Sequence, residues 1–339
     1  MHWRQPAGST SVTDPVTPTD KERGLAAAYT QALASPGFVE LGPLLDEDAQ
    51  FAFANRSTHG RGRVLKSHDD VFGAFEQRHF VMTRVWLTDS THPVDSQAIE
   101  WTMTGLHTRA FMGVAPTLKP VVIKGLTLLW TSDSGVISEL HVYIDEEVVK
   151  AQLGDGPADL QHLATSAPDA NAPQVIEHAG TPEETKNVAA VRSMLTALED
   201  GKEADFVSAM SDEIDVFTLD SAAPVHGKDA ARAYYRNTRK AIRLLDTVIQ
   251  NAWGARSFVV LEYAITGLQV APIPRIAFAA NHPLHTQFVD IAELQDGKIA
   301  RLWRYADPFA FGPPVTASDA TRSDAGLESR ASSLKGARR

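Results

Sequence analysis

The 339 residues predict an α+β protein in which one fold is written twice. Three observations carry that expectation. First, "EWTMTGLH" from Glu100 is echoed 162 positions later by "EYAITGLQ" from Glu262, and 45 positions separate each glutamate from a later aspartate, Asp145 and Asp307. Second, "SGVISELHVYID" falls opposite "DGKIARLWRYAD" at the same offset, with Gly105 opposite Gly267 and Gly135 opposite Gly297, so the match reads as gapless over 46 residues. Third, the length divided by a usual domain size of about 150 residues gives two domains.

Each copy opens on a helix-period pattern. "KERGLAAAYTQALAS" carries Leu25, Tyr29 and Leu33, and "KNVAAVRSMLTALEDG" carries Val188, Val191 and Leu195, at helical spacing. Short helices are expected at "FVELGPLL" and "EADFVSAM", first strands at "AQFAFA" and "IDVFTL", and further helices at "SHDDVFGAFEQ" and "GKDAARAYYRNTRKAI". Three or four strands follow in each copy. Asp133 to Gly135 and Asp296-Gly297 are the hairpin turns between the last two. The expected boundaries are a disordered leader at 1–20, a first domain at 21–154, a linker at 155–183, a second domain at 184–314 and a disordered tail at 315–339.

Composition narrows the function classes. A net charge of -10 and a pI near 5.6 argue against nucleic acid as a partner, since phosphate binding needs a concentrated basic surface. No apolar run approaches the roughly 20 residues that span a bilayer, so no membrane partner is expected. No secretory signal is visible, and the cytoplasm is the default location. Cysteine is absent, which removes disulfides and thiolate chemistry. No metal or other cofactor is called for. His282 and His285 are separated by a proline and lack a third ligand, "GRGR" at Gly60 to Arg63 lacks the ending of a phosphate loop, and no nucleophile elbow appears.

The segment from Glu100 to Gly154 resembles the SnoaL-like polyketide cyclase group of the nuclear-transport-factor-two-like superfamily. The resemblance rests on Trp101, Thr102, Gly105, His107, Phe111, Gly113, Pro116, Thr117, Gly135, Ile137, His141, Tyr143, Asp145 and the ending Gln152-Leu153-Gly154. The second copy keeps Gly267, Gly297, Ile299, Tyr305 and Asp307, but has Gln269 opposite His107 and Trp303 opposite His141. The resemblance implies two cone-shaped α+β barrels, each a curved mixed sheet packed on about three helices with a pocket between them. It also implies pairing through the outer sheet faces, so that the two copies form a pseudo-dimer within one chain; pairing of two chains stays open. Members of the group include cyclases, isomerases, epoxide hydrolases and binding proteins, and fold alone does not choose among them.

Residues two apart on a strand share a face, so His141, Tyr143 and Asp145 form one polar stripe. If that face is concave, Asp145 is an acid–base carboxylate, the role the resemblance implies, with His107, His141 and Tyr143 stabilising an enolate oxygen. Asp145 has an equally direct structural role, because "DEEVVKAQLG" is a helix with aspartate at its N-cap, and Asp307 before Pro308 reads as a cap too. Glu100, Trp101, Lys124, Tyr305 and Asp307 are candidate ligand contacts. Lys124 lies in an apolar strand pattern and either snorkels or pairs with a carboxylate. An epoxide hydrolase would want an Asp–Arg–Asp set, and the second copy offers Asp290 and Asp307 with no arginine evident on the same strand. The expected function is binding of a small, largely apolar carbonyl compound, with acid–base cyclisation or isomerisation placed in the first domain. The alternative is a non-catalytic binding or accessory protein with a degenerate second domain.

Overall fold

Helix α1 (Pro18–Ala34) and the strands β1 (Leu45–Phe53), β2 (Arg56–His59), β3 (Phe75–Leu87), β4 (Ser96–His107), β5 (Pro120–Thr131) and β6 (Ile137–Ile144) make the first unit, with α2 (Arg61–Phe72) and α3 (Glu146–Leu153). The second comprises α4 (Pro182–Glu199), α5 (Glu203–Ser208), β8 (Met210–Thr218), β9 (Val225–His226), α6 (Lys228–Ala241), β10 (Ile242–Ala255), β11 (Phe258–Gln269), β12 (His282–Gln295) and β13 (Lys298–Ala306). This is a computed structural model, and it describes residues 18–53, 56–88, 96–161, 172–219, 221, 223–272 and 281–306.

The two sheets have the same topology. The first runs β2-β1-β6-β5-β4-β3 and the second β9-β8-β13-β12-β11-β10. In each, one parallel pairing (β1 with β6, β8 with β13) joins an otherwise antiparallel meander, so both sheets are mixed. The first sheet gains a seventh strand, β7 (Gln174–Glu177), laid parallel to β3. That strand comes from the segment expected to be a linker. His178, which follows it, bonds Gly254 O of the second unit at 2.7 Å.

Local chemistry explains most element ends. Thr181 accepts from the amide of Glu184 while Glu184 reaches back to Thr181 N, a capping box with Pro182 at the first helical position of α4. Asp296 (φ 51°) and Gly297 (φ 71°) turn β12 into β13 through two left-handed residues, as a tight hairpin needs. The expected helix at "FVELGPLL" is instead two 3-10 turns, Pro36–Phe38 and Gly42–Leu44, because Gly37 at φ 63° and the prolines interrupt a regular helix. The helix expected from Ser67 starts earlier, at Arg61, and has ended by Phe72, so "AFEQ" turns into β3.

Strand register corrects the gapless repeat. Gly125 lies opposite Trp101 in the first unit, and Phe288 lies opposite Tyr263 in the second, so β5 and β12 correspond at an offset of 163 rather than 162. The offset returns to 162 at β6 and β13, since Leu126 pairs with Tyr143 and Val289 with Tyr305. One inserted residue before β12 is cancelled by a shorter turn after it.

Each sheet packs one face on its own helices. In the first unit Tyr29, Phe72, Trp101, Ile123, Leu129 and Val142 share a core; in the second, Val191, Leu195, Phe206, Tyr235, Leu261, Tyr263 and Leu302 do. The opposite faces meet. Trp86, Ala98, Leu126, Leu128 and Tyr143 of the first unit form one buried cluster with Trp253, Val260, Val289, Ile291 and Tyr305 of the second. The two units are thus a pseudo-dimer in one chain, joined through their outer sheet faces. No helix among the described residues is long and apolar enough to cross a membrane.

Candidate functional site

Alternation along β6 does place His141 and Tyr143 on one face, but that face is the outer one, against the second unit. His141 Nδ1 lies 2.5 Å from Glu262 Oε1 and Nε2 lies 2.7 Å from Glu139 Oε1. With a carboxylate at each nitrogen the ring is an imidazolium. Burial opposes the charge, but the Glu262 carboxylate and the bond to Glu139 outweigh it and raise the pKa to about 9. Tyr143 donates to Glu262 at 2.7 Å, and Asn251 donates to its other oxygen.

Glu100 and Tyr305 sit at the mirror position. Arg84 donates to both Glu100 oxygens at 2.7 and 2.6 Å, Thr83 adds a bond at 2.7 Å, and Tyr305 donates from the second unit. Four of the sequence-derived candidates, His141, Tyr143, Glu100 and Tyr305, are therefore brought together as two clamps between the units and not within a cone.

The remaining candidates disperse. Asp145 caps α3, accepting from Val148 N at 3.0 Å. Lys124 is exposed, because the β5 face that carries it runs past the edge of the inter-unit contact there. Asp145, Lys124, Val148 and Leu219 border a small surface groove. His107 is buried at the end of β4, where Nδ1 accepts from Thr117 N at 3.2 Å, so its proton lies on Nε2. Burial lowers its pKa and keeps it neutral. Trp101 lies inside the first cone and donates to Thr127 Oγ1 at 3.0 Å. Asp307 lies outside the described residues.

The interiors of the two cones differ in charge. In the first, Thr127 receives Trp101, and Tyr29 Oη lies 3.5 Å from both Thr127 Oγ1 and His68 Nε2. His68 donates from Nδ1 to Val64 O at 2.9 Å, and burial lowers its pKa to about 4. These four side chains, Trp101, Thr127, Tyr29 and His68, lie beside one another and none carries a charge. By strand register, the positions of Trp101, Thr127 and Val142 are held in the second cone by Tyr263, Asp290 and Arg304.

Those three residues make a buried ionic group. Arg304 donates from Nε to Asp290 Oδ1 at 2.8 Å and from Nη2 to Oδ2 at 2.7 Å, a side-on fork. Tyr263 donates to Asp290 Oδ2 at 3.0 Å and accepts from Arg304 Nη2 at 3.2 Å. Asp290 is fully buried, whereas the Arg304 side chain keeps 11% of its surface. Burial alone pulls the guanidinium pKa down, and the Asp290 charge outweighs it, so Arg304 stays charged. The guanidinium lies 4.6 Å over the ring of Tyr234 on α6 and 5.5 Å from that of Phe288, both half-buried. Nη1 takes no part in the fork.

Sequence inspection finds Asp290 but not its partner. Arg304 stands on the neighbouring strand, directly opposite Asp290 in the β12–β13 ladder. The usable signal was the alternation Phe288/Asp290 and Leu302/Arg304, which puts both charges on the helix-covered face. Among the described residues, no cluster of three or more His, Asp or Glu is placed to hold a metal ion.

The SnoaL-like domain family model matches residues 191–302, the unit in which the motif-by-motif resemblance is thinner. No curated protein matches the chain. Among solved structures, a protein described as a SnoaL-like polyketide cyclase from Jannaschia sp. CCS1 is 21% identical, over 40% of this chain and 97% of its own, with a TM-score of 0.36. An LEH-like epoxide hydrolase from M. tuberculosis is 17% identical, over 38% and 89%, with a TM-score of 0.32. A protein described as a polyketide cyclase from Pseudomonas putida KT2440 is 20% identical, over 40% and 96%, with a TM-score of 0.31. Similarity at this level brings no substrate or reaction across.

Proposed function

Because residues 191–302 carry a SnoaL-like domain, we propose that this chain binds a small, largely apolar carbonyl compound in its second unit, with Arg304 donating to the ligand's oxygen. The observation that supports this is the side-on fork between Asp290 and Arg304 on the helix-covered face, which fixes a charged donor in low-dielectric surroundings and leaves Nη1 over. Tyr234 and Phe288, half-buried beside it, supply apolar walls. A few fixed polar groups among apolar ones are what orient a small ligand.

Binding without turnover fits the geometry better than acid–base catalysis. Asp290 has both oxygens occupied by Arg304 and Tyr263, which leaves neither oriented to take a proton from a ligand. In the first unit Asp145 caps a helix while His141 and Tyr143 bond Glu262. The first unit then serves as the scaffold, the reverse of the sequence-based expectation.

The test is a titration of the full chain with PRODAN, a fluorescent apolar naphthyl ketone whose emission reports both its surroundings and hydrogen bonding to its carbonyl. Replacing the buried pair together, Asp290→Leu with Arg304→Met, avoids stranding a charge and keeps the fold. Affinity should fall by about tenfold or more, the loss expected for a hydrogen bond to a charged donor. Thr127→Val in the first cone should leave it unchanged. Equal affinity of the double variant and the wild type would overturn the assignment.

A further inference from the structure

Arg304 lies between two residues that point the other way. On β13 Leu302 and Arg304 face the helices, and Trp303 and Tyr305 face the first unit. Both outward neighbours are gripped. The Arg84 guanidinium lies 4.0 Å over the Trp303 ring, and Tyr305 donates to Glu100. Arg84 and Glu100 are themselves locked by a two-bond fork, with Thr83 on the same carboxylate. Their side chains keep only 16% and 18% of their surface. Two residues that sandwich Arg304 in sequence are thus tied to one rigid ion pair of the other unit.

A strand held at positions on both sides of a residue has little freedom to rotate that residue off its bonds. Arg304 must keep Nε and Nη2 on Asp290 for Nη1 to stay available, and small rotations of β13 would break that fork. We propose that Glu100 and Arg84 of the first unit are positioning residues for the second unit's ligand site, holding Trp303 and Tyr305 so that Arg304 stays forked on Asp290. The assignment rests on the binding role given to Arg304 above. It gives the first unit a function for the second even though Thr127 stands in its own cone where the second has Asp290.

The test uses the full chain with two readouts: affinity for PRODAN, and hydrogen exchange of the Arg304 Nε–H by nitrogen-15 NMR, which needs no ligand. Glu100→Gln and Tyr305→Phe should each speed exchange about tenfold and weaken PRODAN about fivefold, the size of coupling between residues in one bonded network. Leu128→Ala, which trims the same inter-unit cluster without removing either contact, should lower the melting temperature and leave both readouts alone. Tyr305→Phe added to Asp290→Leu/Arg304→Met should cause no further loss of affinity, because it acts through Arg304. Exchange within twofold of wild type in both single variants overturns the proposal. If exchange rises but wild type binds no PRODAN, the positioning role stands and the ligand assignment falls.

Discussion

Tyr143 donates to Glu262 at 2.7 Å across the boundary between the units, and Tyr305, its counterpart 162 residues on, donates to Glu100. Each unit thus lends a tyrosine to the other's glutamate. The counter-charge differs: Arg84 of the same unit neutralises Glu100, whereas His141 of the opposite unit neutralises Glu262. One clamp is therefore insensitive to pH near neutrality and the other is not.

Removing either tyrosine hydroxyl should loosen the chain without unfolding it. Tyr143→Phe leaves Glu262 with His141 and Asn251 and should cost about 1.5–3 kcal/mol, as for a hydrogen bond to a charged group. Glu262→Ala leaves the buried His141 with Glu139 alone and takes the acceptor from Tyr143 and Asn251, and should cost about 3–5 kcal/mol. Urea titration checks both, and a loss in Glu262→Ala no larger than in Tyr143→Phe would contradict the buried-pair assignment.

Alkaline pH should weaken the same clamp. The pKa of His141 is about 9 in the folded chain against an ordinary 6.5, so the folded state holds a proton that the unfolded chain releases. Its contribution is complete below 6.5 and is lost as pH rises through 9, with a slope of about 1.4 kcal/mol per pH unit between those values. Melting temperatures measured from pH 6 to 10 should fall in wild type and flatten in His141→Gln, in which no ring titrates.

Acid should act on the first unit through His68. Burial holds its pKa near 4, below the ordinary 6.5, so the unfolded chain takes up a proton first. The contribution is present above 6.5 and is lost as pH falls towards 4. Amide hydrogen exchange of β4 and β5 measured from pH 7 to 4 reports this unit, and His68→Gln should make its protection less acid-sensitive; an unchanged acid dependence would show that His68 is not the group responsible.

Asp145 should behave as a cap. Asp145→Ala is expected to cost about 1 kcal/mol and Asp145→Asn only a few tenths, since asparagine caps equally well. PRODAN affinity should be the same in both. A loss of binding in Asp145→Asn with unchanged stability would move the site to the first unit.

Much of this architecture is local and was therefore legible. The helix–strand order, the Asp296-Gly297 turn and the Asp145 cap follow from short-range patterns, and Tyr143 and Tyr305 align by spacing alone. Which face of β6 is buried against what is not local. Alternation puts His141 and Tyr143 together, but only the arrival of the second sheet decides that their face is an interface. Asp290 and Arg304 are 14 residues apart and meet through strand register. The one-residue shift of β12 cancels at both ends of the repeat, so comparing Glu262 and Asp307 with Glu100 and Asp145 cannot reveal that Asp290 replaces Thr127.

The most direct measurement is a crystal structure of the full chain with PRODAN. The ketone oxygen is expected within hydrogen-bond distance of the Arg304 guanidinium, with the naphthyl ring against Tyr234 and Phe288. Density for the ketone beside His107 and Thr117 in the first cone, or in the groove bordered by Lys124 and Asp145, would contradict the assignment of the ligand site to the second unit.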